Sequence, residues 1–217
     1  MPIIFYLGTD PVAVGLVASL NRPGGNLTGV SNLGVLLAPK QLQLIHELMP
    51  TATVIGLLLN PTSPILAEPQ SRDVLAAARA LGIQVHVLHA STDRDFDAAF
   101  ADLIQLRAAA LVIGTDAFFS SRAKQLAELT VRHAIPAIHQ YRDFVVAGGL
   151  VSYGTSLADA YRQVGIYAAK ILQGTKPADL PVQQVVKVEL IINLKTAGTL
   201  GLNIPLPVLG RADEVIE

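Results

Sequence analysis

The run VIGLLL, Val54 to Leu59, is wholly apolar and stops abruptly at Asn60, after which Pro61-Thr62-Ser63-Pro64 leads into a helical pattern. Ser63 suits the cap of that helix and Pro64 its first position, so unpaired N–H groups should face whatever lies above Asn60. A carboxylate docking on the Ser63 hydroxyl and these N–H groups would gain charge-assisted hydrogen bonds and a favourable dipole. An ordinary strand-to-helix loop is the competing reading of the stretch taken alone. Asp116 closes a second apolar run, LVIGTD, and precedes Ala117-Phe118-Phe119. It can pair with an ammonium while Phe118 or Phe119 covers an apolar side chain, which suits an amino acid. Equally, it reads as a helix cap followed by two core phenylalanines. Ser31 ends NLTGVS with a hydroxyl that can donate to a carboxylate, whereas Thr28 falls on the opposite face by alternation. Tyr153 ends a further strand, where it either lines a cleft or sits at a hinge. Asp10, in GTDP, offers a carboxylate to an ammonium or acts as a plain cap stabilising by about 1 kcal/mol.

The elements that must position these groups follow from periodicity. Ile3 to Leu7 reads as a strand, and Asp10-Pro11 opens a helix with Val12, Leu16, Val17 and Leu20 in phase. A strand over Asn26 to Ser31 and a helix from Pro39 to Met49 follow. From Val54 onward strands and helices alternate: helix Ile65–Leu81, strand Gln84–Leu88, helix Arg94–Arg107, strand Ala110–Gly114, helix Ser120–His133 and strand Pro136–His139. A short helical segment near Arg142–Ala147 then leads to the strand Leu150–Tyr153. Such alternation means βαβ units and a parallel sheet, apolar on both faces, with ligands at the carboxyl ends of the strands. A long helix over Ser156–Leu172 turns Tyr161, Val164, Tyr167, Ala168 and Ile171 to one side. The tail adds a strand, Val185–Ile192, a helix, Leu194–Gly201, and an irregular end.

Composition narrows the function. Of the 217 residues, 51% are apolar and 15% charged, a balance that builds a packed core. The apolar runs stop well short of the roughly 18 residues of a membrane span. With a net charge of −1 and scattered basic residues, no electrostatic footprint for nucleic acid is present. Cysteine is absent, which removes disulfides and thiolate chemistry, and the five histidines show no ligand spacing. His86 and His89, three apart on a strand, point to opposite faces. No metal or cofactor is expected, because no phosphate-binding glycine motif is present either. Nor does a Gly-x-Ser-x-Gly elbow support a hydrolase triad. The N-terminus MPIIFYLGTD lacks signal-peptide features, so the chain as written would stay in the cytoplasm.

The strand count is uneven. Residues 53–154 supply a complete lobe of five parallel strands, whereas 1–52 and 155–217 together give only a partial first lobe. An incomplete sheet should expose an edge, and a homodimer formed through it is expected.

Several segments together resemble one family. They are GTDPVAVGLVASLNRPGGNLTGVS, LLLNPTSP, YRDFVVAGGLVSYG and the closing KVELIINLKTAGTLGLNIPLPVLGRADEVIE. They look like the ABC transporter substrate-binding proteins related to tryptophan-binding lipoproteins, and the resemblance spans essentially the whole chain. It implies an α/β protein of two doubly wound parallel-sheet lobes, of the type I periplasmic-binding-protein kind. Such proteins clamp a small ligand by hinge closure, hand it to a membrane permease and catalyse nothing. The resemblance places Asp10 at the cleft edge of the first lobe and puts the parent protein in the periplasm or on a lipid anchor outside the inner membrane. Family members carry a signal peptide and about three further βα units ahead of this chain's first strand, so an N-terminally shortened chain is expected. An enzyme using the same cleft, of racemase or hydrolase type, and a ligand-sensing regulatory domain are the alternatives from other classes.

Overall fold

The computed structural model describes residues 1–32 and 34–217. Its elements begin β1 (Ile3–Leu7), β2 (Leu27–Asn32), α1 (Gly34–Leu48), β3 (Val54–Leu59), α2 (Pro64–Leu81), β4 (Gln84–His89), α3 (Asp95–Gln105) and β5 (Ala110–Ile113). There follow α4 (Ala117–Ser121), α5 (Ala123–Arg132), β6 (Ala137–His139), α6 (Arg142–Val146), β7 (Val151–Thr155) and α7 (Leu157–Leu172). The chain ends with β8 (Gln183–Val185), β9 (Val188–Asn193), α8 (Leu194–Thr199), α9 (Leu206–Leu209) and β10 (Glu214–Ile216). Two compact units result: Met1–Gly34 with Thr155–Val188, and Val35–Gly154 with Glu189–Glu217.

The first unit holds a parallel sheet in the order β1-β2-β8. Helix α7 packs on β1 and β2, with Ala160 and Tyr167 buried and the Tyr167 hydroxyl donating to the Pro181 carbonyl. Tyr161, expected on the same buried face, is instead 59% exposed and tilts against Tyr6. Ser156 caps this helix as its position suggests, accepting from the Asp159 N–H at 3.3 Å.

The second unit is built on the sheet β10-β9-β7-β6-β5-β3-β4. One face is covered by α1, α2, α8 and α9, which bury Leu42, Ile45, Val74, Ala197 and Val208 against Ile55, Leu57 and Val112. The other is covered by α3, α4, α5 and α6, which bury Phe96, Phe100, Phe119, Leu126 and Phe144 against Leu58, Leu111 and Ile113. Strict alternation along β3 and β5 divides the two cores. Strand β3 lies between β4 and β5, and the helix after β3 goes to one face while those after β4 and β5 go to the other. The ends of β3 and β5 therefore border a topological switch point.

Several sequence expectations are corrected. No helix follows Pro11: Val14, Leu16 and Val17 N–H groups bond back to Asp10 and Pro11, and the chain then turns at Gly15, whose φ is +73°. Helix α1 starts five residues early, at Gly34, and carries Pro39 inside it. The single helix expected over Ser120–His133 is two, α4 and α5, broken at Arg122. The single strand expected over Val185–Ile192 is also two, because β8 pairs with β2 in one sheet and β9 with β10 in the other. The tail is ordered into α9 and β10, with β10 parallel to β9. In consequence residues 35–52 and 189–217, assigned to the first lobe on sequence, pack in the second unit.

One close approach carries a prediction. A Cβ on Gly154 would lie 2.0 Å from the Gln140 carbonyl oxygen, a backbone atom on the neighbouring strand end. Gly154→Ala is expected to destabilise the second unit by about 1–3 kcal/mol, since β6 and β7 must separate. Gly198→Ala, in α8 with nothing within 4 Å of the new carbon, should be neutral or slightly stabilising. Urea midpoints of the two variants check this; equal midpoints would count against it.

Candidate functional site

The carboxyl end of β3 releases the chain at Asn60, which is 7% exposed. Its Oδ1 accepts from the Thr62 N–H at 3.0 Å and the Thr62 hydroxyl at 2.7 Å, folding the loop back as an Asx turn. Its Nδ2 donates to Asp116 Oδ1 at 3.1 Å. Asp116, 5% exposed, caps α4 by accepting from the Phe118 N–H at 2.8 Å, also on Oδ1. Both bonds fall on one oxygen, so Oδ2 is left for another donor. The pair bridges the switch point between β3 and β5.

Ser63 stands at the cap position of α2 with Pro64 after it, but its side chain makes no capping bond. Its carbonyl instead takes the N–H groups of Leu66 and Ala67, at 3.0 and 2.9 Å. The hydroxyl therefore remains for other use, while the first turn offers fewer unpaired amides than the sequence suggests. Phe118 is half-buried, stacked on Phe96 with centroids 5.4 Å apart, tilted against Phe119 and covered by the Arg122 guanidinium at 5.6 Å. Arg122 is also held by Asp93 at 2.7 Å. Phe118 and Arg122, with Ser91 to Arg94, line an open pocket of about 600 Å³ at this edge of the sheet.

Three further residues belong to the same edge. Gln70, on α2 and 1% exposed, accepts from the Thr115 N–H at 2.6 Å and donates to the Thr115 carbonyl at 3.1 Å and the Leu66 carbonyl at 2.9 Å. The Thr115 hydroxyl donates to Gln140 Oε1 at 3.0 Å. The network crosses the ends of β3, β5 and β6. Thr115 and Gln140 escaped the sequence reading, although each follows a strand as Asn60 does, and applying the strand-end rule to every strand would have found them. Gln70 carries no such signal.

Tyr153, expected at a strand end, lies in the middle of β7, which runs on to Thr155; it is half-buried against the core, and its carbonyl accepts from Gln41 Nε2 at 2.8 Å. In the first unit Ser31 is 1% exposed and donates to the carbonyls of Thr9 and Asn32 at 3.1 and 3.3 Å, which engages its proton locally. Thr28 donates to the Leu180 carbonyl at 2.7 Å. Asp10 is exposed and accepts from the Val12 N–H at 2.8 Å, as a cap of one turn. Among the described residues no three His, Asp or Glu side chains gather as a metal site. His139, fully buried at the end of β6, accepts from the Tyr141 N–H at 3.3 Å through Nδ1, and its Nε2 has no partner among the described residues. Burial lowers its pKa from 6.5 to about 4.

The doubly wound parallel sheet, with polar side chains gathered at its switch point, is an α/β fold of the type I periplasmic-binding-protein kind, as its structural neighbours are. The chain belongs to the ABC transporter substrate binding protein family, matched over residues 1–216. It is 30% identical over 202 residues to the tyrosine-binding protein of Clostridioides difficile, an alignment covering 93% of this chain and 57% of that protein. The chain thus spans a little over half of that relative's length. Among solved structures it resembles the ABC domain in complex with L-Trp from Streptococcus pneumonia (TM-score 0.85, 29% identity, 99% of this chain and 73% of that one). It also resembles a substrate binding protein with adhesive properties from Clostridium difficile in its ligand-free, open structure (TM-score 0.65, 26% identity, 100% and 71%).

Proposed function

We propose that this chain captures an amino acid, of the aromatic class, outside the cytoplasmic membrane and delivers it to an ABC permease without altering it. The observation that carries this reading is the Asn60–Asp116 pair at the switch point, whose one engaged oxygen leaves Asp116 Oδ2 to receive an ammonium. The Ser63 hydroxyl, which caps nothing, then receives the ligand carboxylate at the α2 N-terminus. Phe118, whose N–H is held by Asp116, supplies apolar surface beside these groups, and Tyr153 of β7 is a further member of the proposed set. The aromatic class rests on the relatives, one named for tyrosine and one solved with L-Trp.

Calorimetric titration of the chain with L-tyrosine and L-tryptophan tests the proposal. One of the two should bind, and Asp116→Asn should weaken it by about tenfold or more, because the ammonium loses its counter-charge. Absence of binding to both, or equal affinity in the variant, would overturn the reading.

A further inference from the structure

We infer that Gln70 is a positioning residue for the ligand site, acting through the backbone of Thr115; this rests on the function proposed above. The side-chain amide of Gln70 engages both polar groups of one residue. Its Oε1 takes the Thr115 N–H at 2.6 Å and its Nε2 gives to the Thr115 carbonyl at 3.1 Å. A side chain on α2 thereby completes the backbone hydrogen bonding of a loop that follows β5, where the strand ladder has ended. The next residue is Asp116, and the Thr115 hydroxyl reaches on to Gln140 beyond β6 at 3.0 Å.

The arrangement is specific to an amide. Buried backbone groups require partners, and only a group that both donates and accepts serves the N–H and the carbonyl together. Gly114 makes room for it: a Cβ there would approach Gln70 Oε1 to 3.2 Å and the Leu58 carbonyl to 2.8 Å. A third bond, from Nε2 to the Leu66 carbonyl at 2.9 Å, orients the side chain against the first turns of its own helix. The consequence is geometric. Gln70 ties the helix that begins at Ser63 and Pro64 to the residue that precedes Asp116, so the proposed carboxylate and ammonium partners are held at a fixed separation. Asn60 ties the same two loops from the β3 side, through its bond to Asp116.

Gln70→Met keeps the approximate volume of the side chain and removes these hydrogen bonds. Val74→Ala serves as the comparison, because Val74 is fully buried on the same helix and belongs to the hydrophobic core. Affinity of each variant for L-tyrosine and L-tryptophan is measured beside its urea midpoint and the exchange of the Thr115 and Phe118 amides. The expected result is that Gln70→Met weakens binding by about tenfold or more and speeds exchange at both amides. Val74→Ala should lower the midpoint while leaving affinity within about twofold of wild type. Wild-type binding with unchanged affinity in Gln70→Met overturns the inference alone, as does an equal loss in Val74→Ala. A wild-type chain that binds neither amino acid removes the function beneath it as well, and that result is read before any variant is compared.

Discussion

Replacing Phe96 by alanine will cost the second unit about 3–5 kcal/mol, enough to remove a large share of the stability of an ordinary domain. Phe96 is wholly buried between α3 and the β4–β5 side of the sheet, in one core with Phe100, Leu103 and Leu88. Its ring is stacked on Phe118 at 5.4 Å with planes 16° apart, and lies 6.2 Å from Phe119. Truncation loses the transfer energy of the ring, leaves a cavity that three packed elements cannot close, and forfeits two aromatic contacts. Ile104, on the same helix but 53% exposed, provides the contrast, since its replacement by alanine should stay within about 0.5 kcal/mol. Urea unfolding followed at the second unit measures both. A loss under about 1.5 kcal/mol for Phe96→Ala would mean that this core repacks. The effect also reaches the candidate site, because Phe118 would lose the ring that orients it.

The second large effect is one of pH. His139 is fully buried beside Tyr141 and Phe144, and burial lowers its pKa to about 4 from 6.5. Between these values the unfolded chain holds a proton on this imidazole that the folded chain does not. Acidification therefore favours unfolding, and stability rises with pH from about 4 to about 6.5, above which the contribution is complete. A difference of this size corresponds to about 3 kcal/mol. His139→Asn keeps an acceptor for the Tyr141 N–H and has no titration in this range. The difference between wild-type and variant stabilities, measured at pH 7 and at pH 4.5, should therefore change by most of that amount. Taking the difference cancels the carboxylates common to both. An unchanged difference would show that folded His139 is protonated as readily as the unfolded one.

His139 also shows where sequence reading reached its limit. Five histidines scattered without ligand spacing argue against metal, yet nothing in the sequence says that one of them is wholly enclosed. Enclosure comes from α6, which brings Phe144 against it, and from the neighbouring strands. Gln70 is a stronger case. A glutamine in an amphipathic helix reads as solvent-facing, and it is buried here only because the Thr115 peptide, 45 residues later, supplies partners for its amide. The reverse error occurred at Tyr161: six residues from Tyr167 is about 240° around a helix, so its side chain lies off the face that buries Ala160 and Tyr167 and is exposed. The single strand read over Val185–Ile192 failed for a different reason. Its apolar pattern is continuous, and only the separate partners of β8 and β9 divide it between two sheets.

By itself, the sequence determined the parts of this protein that depend on local chemistry. Unbroken apolar runs specified buried parallel strands, their abrupt polar ends at Asn60 and Asp116 marked the edge where a ligand can be met, and the strand-helix alternation specified the α/β class. Tertiary structure alone decided which strands share a sheet, which unit takes α1 and the tail, and which polar side chains are enclosed. Those outcomes depend on partners far away in the chain, and a local pattern records the need for a partner without recording its identity.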